Sequence, residues 1–217
     1  TSDAADSDRV AIEVQEAREM GIAVLPPDVN ESFSTFTVVK ESLDTNQPRI
    51  RFGLAAVKNV GQNLVTAIIA ERKASGPFTS LENFLQRLQH KDLNKKSLES
   101  LIKSGACLNF GEPAVLLSNI ETLLQYSRQA QQERLNGQGN LFSLSGVQRV
   151  PKLHLAPTTP TAQRQKLAWE KELLGLYISA HPLEKLQKYF GKLFMTLAVA
   201  RNLRANSPVD CVVLAQT

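Results

Sequence analysis

Short apolar runs punctuate the beginning of the chain, and beyond Gly53 the apolar residues recur at helical spacing. Ser7 and Asp8 are N-cap residues ahead of Val10, Ile12, Val14 and Ala17, and Gly21 stands where a left-handed C-cap belongs. That pattern predicts a helix ending near Met20. Residues 22–25 form an apolar run stopped by Pro26-Pro27, which cannot donate ladder hydrogen bonds. Phe33, Phe36, Val38 and Val39 form a second run, and residues 50–52 a third after the Asn46-Gln47-Pro48 turn signal. A small sheet within residues 22–52 follows.

The helical part opens with Leu64, Val65, Ile68 and Ile69, one face of a helix that ends near Arg72 before Gly76-Pro77. Thr79-x-x-Glu82 reads as a capping box for a helix carrying Leu81, Phe84, Leu85 and Leu88. Asn94 caps the next, with Leu98, Leu101 and Ile102, which stops at Gly105. Glu112-Pro113 opens one long helix whose core face (Leu116, Leu117, Ile120, Leu123, Leu124) gives way to polar residues from Ser127 to Arg134. Glycines and prolines at 137, 139, 146, 151, 157 and 160 mark a long exposed connection. Leu167, Trp169, Leu173 and Leu174 resume the helical period, a short helix starts near His181-Pro182 and runs toward Phe190, and residues 209–214 read as a strand. The fold class is mainly α with a small β element near the N-terminus.

Composition narrows the function classes. The 217 residues are 42% hydrophobic and 21% charged, which is ordinary globular usage and excludes a disordered chain or a bundle of membrane spans. A net charge of +4 permits an anionic partner without demanding one. Cys107 and Cys211 are isolated, so neither a zinc ribbon nor a disulfide scaffold fits, and a reducing cytoplasm does. His90, His154 and His181 lie in unrelated segments, and Asp3, Asp6 and Asp8 belong to a polar terminus. No nucleotide-binding, hydrolase or metalloprotease motif occurs, and no metal site is expected. A chain that begins at Thr1 without Met and stops just after a strand begins reads as a piece of a longer protein.

Two segments carry candidate chemistry. In LAAVKNVGQNLVTAI (residues 54–68), Gly61 sits between apolar anchors and opens the second helix of a pair, which is helix-hairpin-helix spacing. Glycine at a hairpin tip permits close approach, the N–H groups of the following helix can cradle a phosphate, and Lys58 adds a cation beside Asn59, Val60, Gly61 and Gln62. A more degenerate second copy runs from Leu98 through Ile102, Lys103, Gly105, Phe110 and Gly111 to Glu112 and Leu116, with Lys95 and Lys96 upstream. Such a pair would grip duplex DNA by its phosphates without reading bases. A plain helical bundle with glycine C-caps accounts for the same pattern. In the exposed connection, Leu141 and Phe142 are large apolar residues without an evident core of their own. With Gln138 they form either anchors for a partner's pocket or a patch packed on the neighbouring helix.

Together these residues resemble the C family of bacterial replicative DNA polymerases, the polymerase III alpha subunits. The resemblance rests on GIAVLPPDVN (21–30), IRFGLAAVKNVG (50–61), GPFTSLE (76–82), LNKKSLESLIKSGA (93–106), GQGNLF (137–142) and ELLGLYISAHPL (172–183), in the family's order over most of the chain. It implies four parts: the end of the fingers at 1–52, a tandem helix-hairpin-helix region at 53–135, a sliding-clamp-binding loop and following helices at 136–194, and the start of an OB domain at 195–217. It implies duplex primer-template DNA as a partner of the hairpins and the sliding clamp as a partner of Gln138, Leu141 and Phe142. Other replicase subunits would be reached through the parent chain, whose palm holds magnesium and the catalytic carboxylates; neither has a counterpart here. The second hairpin departs from the family's hydrophobic-Gly-hydrophobic tip, and residues 40–48 have no assigned role. The alternative is a duplex-binding helix-hairpin-helix module of a repair or recombination protein.

Overall fold

The structure, a computed structural model, describes residues 7–39, 48–135 and 153–180. Helix α1 (Ser7–Glu19) leads into β1 (Ala23–Leu25), β2 (Thr37–Val39) and β3 (Arg49–Arg51). The order is β1-β3-β2, with β1 parallel to β3 in the register Val24↔Ile50 and β2 antiparallel to it with Val38↔Ile50. A single 3-10 turn, Leu54–Ala56, precedes α2 (Gln62–Ser75), α3 (Leu81–Arg87) and α4 (Lys95–Lys103). A second 3-10 turn at Leu108–Phe110 leads to α5 (Pro113–Ser118), α6 (Ile120–Leu135) and α7 (Gln163–Leu174). The described residues up to Ser179 form one compact unit. Helix mainly, with one small sheet, is what the hydrophobic periods predict. The expected helix after His181, the strand at 209–214 and the 195–217 segment lie outside the described residues.

One apolar core ties these elements together. Phe52, Leu54, Leu64, Ile68, Phe84, Leu85, Leu88, Leu98, Leu101, Ile102, Leu116 and Leu123 are its largest fully buried side chains. Phe84 sits at its centre, edge-on to Phe78 at 5.1 Å and tilted against Phe110 at 5.6 Å. The arginines that reach inward are spent on carbonyls. Arg18 donates to Tyr177 O and Ile178 O, and Arg72 to Val29 O and Ser32 O. Arg87 donates to Glu71 O and Gly76 O while its guanidinium lies 4.6 Å from the Phe78 ring centroid. Cys107 is fully buried, and burial pushes its thiol up to about 12.

Three expectations shift. Ile12 is 60% exposed, because α1 buries Val10, Val14 and Ala17 at helical spacing and Ile12 falls on the opposite face. The cap of α3 is Ser80, whose hydroxyl accepts from Asn83 N–H, not the Thr79/Glu82 box one residue earlier. The single helix expected after Glu112 is two, because the chain breaks at Asn119. There the side chain is worth more to the fold than a continuous helix: its amide donates to Val115 O and Ala156 O and its carbonyl accepts from Ala156 N–H, tying the returning segment 153–161 to the α5–α6 corner.

Candidate nucleic-acid interface

Residues 53–62 make a turn with the apolar Leu54, Val57 and Val60 buried and Ala55, Lys58, Asn59, Gly61 and Gln62 exposed. Leu54 and Ala55 N–H groups donate to Phe33 O and Ser34 O, so the turn rests on the loop before β2. That loop passes so close to Gly53 that an added Cβ would lie 2.6 Å from Ser34 O, which is why a glycine stands there. Val57 and Val60 plug the core, and a Val60 N–H to Val57 O bond of 3.2 Å closes the turn between them. Lys58 and Asn59 are left on the outside, with Asn59 in the left-handed conformation at φ 67°. The tip is pinned on two sides, by Lys58 N–H to Leu173 O at 3.0 Å and by Asn59 Nδ2 to Ser100 Oγ at 3.2 Å.

Gly61 then serves as the N-cap of α2, at φ −71° and ψ 149°, with no side chain to cap the first-turn amides. Any residue could adopt this backbone; what glycine leaves is open space, since an added Cβ would meet nothing within 4 Å. The positive end of a 14-residue helix is therefore uncovered, four positions after the exposed Lys58. The Gln62 side chain is held by Ser34 Oγ at 2.9 Å. The element before the tip is the 3-10 turn at Leu54–Ala56, not the α-helix that the pairing predicts; the N–H groups of Leu54 and Ala55 are bonded to the 33–35 loop.

The second copy is present, but not where glycine spacing placed it. At a constant offset of 33 residues (58 against 91), Lys58-Asn59-Val60-Gly61-Gln62 matches Lys91-Asp92-Leu93-Asn94-Lys95, and Val65, Ile68 and Ile69 match Leu98, Leu101 and Ile102. The backbone repeats with the sequence. Leu93 N–H bonds to His90 O at 2.9 Å as Val60 does to Val57 O, and Leu98 N–H to Asn94 O at 2.9 Å as Val65 does to Gly61 O at 3.1 Å. The second hairpin is thus α3, the turn at 88–94 and α4. Asn94 replaces the bare glycine, accepting from Ser97 N–H while Ser97 Oγ accepts from Asn94 N–H. The signal in the sequence is the chain's similarity to itself at this offset, which glycine positions alone do not carry.

The repeat therefore begins upstream of the 98–116 span expected for it, and Lys103, Gly105 and Gly111 fall outside its 88–94 turn. Lys103 Nζ stands 3.6 Å from Glu99 Oε2 and 6.0 Å from the Trp169 ring centroid. Gly105, at φ +89°, ends α4 in the left-handed region, and an added Cβ there would lie 3.3 Å from Leu108 Cδ1. Gly111 precedes Glu112, whose carboxylate already occupies the start of α5, accepting from Ala114 and Thr161 N–H and pairing with Lys166 at 3.3 Å. Burial pulls the Glu112 carboxyl up, but those N–H bonds and Lys166 outweigh it and hold it below the ordinary value. An acid at this helix end opposes a second anion there. Lys95 and Lys96 fall inside the relocated copy, both exposed. Gln138, Leu141 and Phe142 lie outside the described residues.

Lys91, Lys95 and Arg128 line an open groove of about 480 Å³ between the 88–94 turn and α6, with Glu121 the one carboxylate in its wall. Lys95 Nζ donates to Glu121 Oε1 at 2.7 Å, and this bond raises the lysine's pKa and lowers the carboxyl's. Among the described residues no three His, Cys, Asp or Glu side chains gather as a metal site. Nor is any described helix long and apolar enough to cross a membrane.

Paired turns that expose lysines, each leading into a helix, have the helix-hairpin-helix form, and the helix-hairpin-helix motif family matches residues 21–114. The chain is 43% identical over 178 residues to the DNA polymerase III subunit alpha of Thermus aquaticus, covering 82% of this chain and 14% of that one. It is 42% identical over 182 residues to that of Deinococcus radiodurans (83% and 13%) and 33% identical over 204 residues to that of Chlamydia pneumoniae (91% and 16%). The chain belongs to the family of DNA polymerase III alpha subunits. It spans 13–16% of the length of these curated relatives.

Proposed function

We propose that this chain is the part of a replicative DNA polymerase that grips duplex primer-template and docks the sliding clamp. In the parent protein, template-directed addition of deoxynucleotides takes place in a magnesium-bearing palm outside this chain. The division follows the resemblance, with the end of the fingers before residue 53, the paired hairpins to about 135, the clamp loop after them and an OB domain beginning near 195, in a cytoplasmic replicase with further subunits. The observation that carries the reading is the repeated hairpin, which sets Lys58 beside the uncapped start of α2 and Lys91 and Lys95 beside the start of α4. Both stations suit phosphates and ignore base sequence. Clamp docking is supported by the sequence Gln138-x-x-Leu141-Phe142, whose adjacent apolar pair would fill a partner's groove. The two contacts share one chain, so either one raises the effective concentration for the other.

Titration of the chain with a purified bacterial sliding clamp, beside a Leu141→Ala/Phe142→Ala variant, tests this reading. Binding that the double variant loses supports it. An intact chain that leaves the clamp unbound removes the clamp role and leaves the repair-module alternative.

A further inference from the structure

We infer that Glu121 is a latch on the second hairpin: its carboxylate holds Lys95 where a DNA phosphate would, and duplex binding displaces it so that Lys91, Lys95 and Arg128 close on the phosphodiester. This rests on the duplex-gripping reading and adds α6 to the grip, an element outside the repeat. Four observations carry it. Lys95 occupies the repeat position of Gln62, at the start of α4 as Gln62 is at the start of α2, so it faces the place where the first copy leaves room for a phosphate. Its partner comes from a different helix, 26 residues away, at the charge-assisted distance of 2.7 Å that a phosphate oxygen would also take. Both side chains are more than half exposed, Lys95 at 57% and Glu121 at 65%, so exchanging one anion for another needs no repacking. Arg128 lines the same groove two turns along α6 from Glu121, near enough to act on the Glu121 carboxyl, and Gln131 extends the polar wall.

The groove holds three formal positive charges against one negative, so once Glu121 swings out it is a cationic slot sized for a backbone phosphate. Among the described residues the first turn of α2 holds no acid, and Gln62 is bonded to the neutral Ser34. The two hairpins therefore differ, the second alone carrying a carboxylate on its helix-start lysine.

Fluorescence anisotropy of the chain with a short mixed-sequence duplex, between about 0.05 and 0.2 M salt, reads the latch directly. Glu121→Gln is expected to bind roughly two- to five-fold tighter at the low-salt end, the effect shrinking with salt, because a like charge leaves the slot and an ammonium is freed. Arg128→Gln is expected to weaken binding and to flatten the slope of log affinity against log salt by about 0.9, one phosphate contact. Acetylation footprinting read by mass spectrometry is expected to show Lys91 and Lys95 protected by duplex in the wild type. Equal affinity of wild type and Glu121→Gln, with Lys58→Gln still weakening binding, would overturn the latch and leave the grip intact. Absence of duplex binding by wild type and Lys58→Gln alike would overturn the grip, and the latch with it.

Discussion

Gly53 and Gly61 stand eight positions apart in one turn, and the structure gives them opposite duties, so replacing each by alanine separates fold from function. At Gly53 an added Cβ would lie 2.6 Å from Ser34 O, 2.6 Å from Thr35 C and 2.8 Å from Thr35 Cα. All three are backbone, and ordinary contact begins near 3.4 Å, so the 33–35 loop must retreat by about 0.8 Å. That retreat stretches the Leu54 N–H to Phe33 O and Ala55 N–H to Ser34 O bonds of 2.9 and 3.1 Å, which hold the hairpin down. Overpacking plus two weakened hydrogen bonds amounts to about 3 kcal/mol. For a chain of this size the melting temperature falls by about 6–12 °C. At Gly61 the same methyl meets nothing, and φ −71° suits alanine, so stability changes by less than about 1 kcal/mol. The methyl does, however, stand over the first amides of α2, where the phosphate would sit, and duplex affinity is expected to fall about tenfold. Circular-dichroism melts and duplex anisotropy on both variants decide the matter. A Gly53→Ala protein that melts like wild type refutes the packing argument, and a Gly61→Ala protein that binds duplex like wild type refutes the cradle.

Other consequences are open to the same kind of check. Asn119→Ala strands the Val115 and Ala156 partners at the α5–α6 corner and should cost about 2–3 kcal/mol in urea unfolding; a loss below about 0.5 kcal/mol would show that the corner does not depend on those bonds. Glu112 has its pKa depressed in the folded state, so its contribution is full above the ordinary value of 4.5 and is lost as pH falls through the lower folded value; Glu112→Gln should flatten that acid limb of the stability profile, and an unchanged limb would contradict the assignment. In a Cys211→Ser background, Cys107, with its thiol at about 12, is about one ten-thousandth ionised near pH 8, so thiol reagents should label it only at the rate of unfolding. Rapid labelling of the native protein would contradict its burial.

Much of the fold is legible in the sequence where local chemistry and packing agree. Gly61 and Gly76-Pro77 bracket α2, Asn94 caps α4, and Glu112-Pro113 opens α5, because each residue acts on its own backbone. The break at Asn119 is not legible, since the partner that causes it, Ala156, is 37 residues away. Nor is the shift from Thr79 to Ser80, since either hydroxyl suits a cap and the burial of Leu81 and Phe84 decides the register. The second hairpin hides for a different reason. In the first copy glycine leaves an open helix start, whereas in the second Asn94 fills the cap and lysines replace Gln62 and Asn63, so what survives is the tip lysine (Lys58, Lys91) and the apolar spacing. Gly105 meanwhile looks like a tip and is a helix stop.

The central claim is that two copies of one hairpin hold duplex DNA by its backbone. It is tested most directly by the salt dependence of duplex affinity, measured on two unrelated sequences. If the copies hold about four phosphates between them, a fourfold rise in salt weakens binding on the order of a hundredfold, equally for both sequences. An affinity that ignores salt, or that follows one sequence and not the other, would contradict the account.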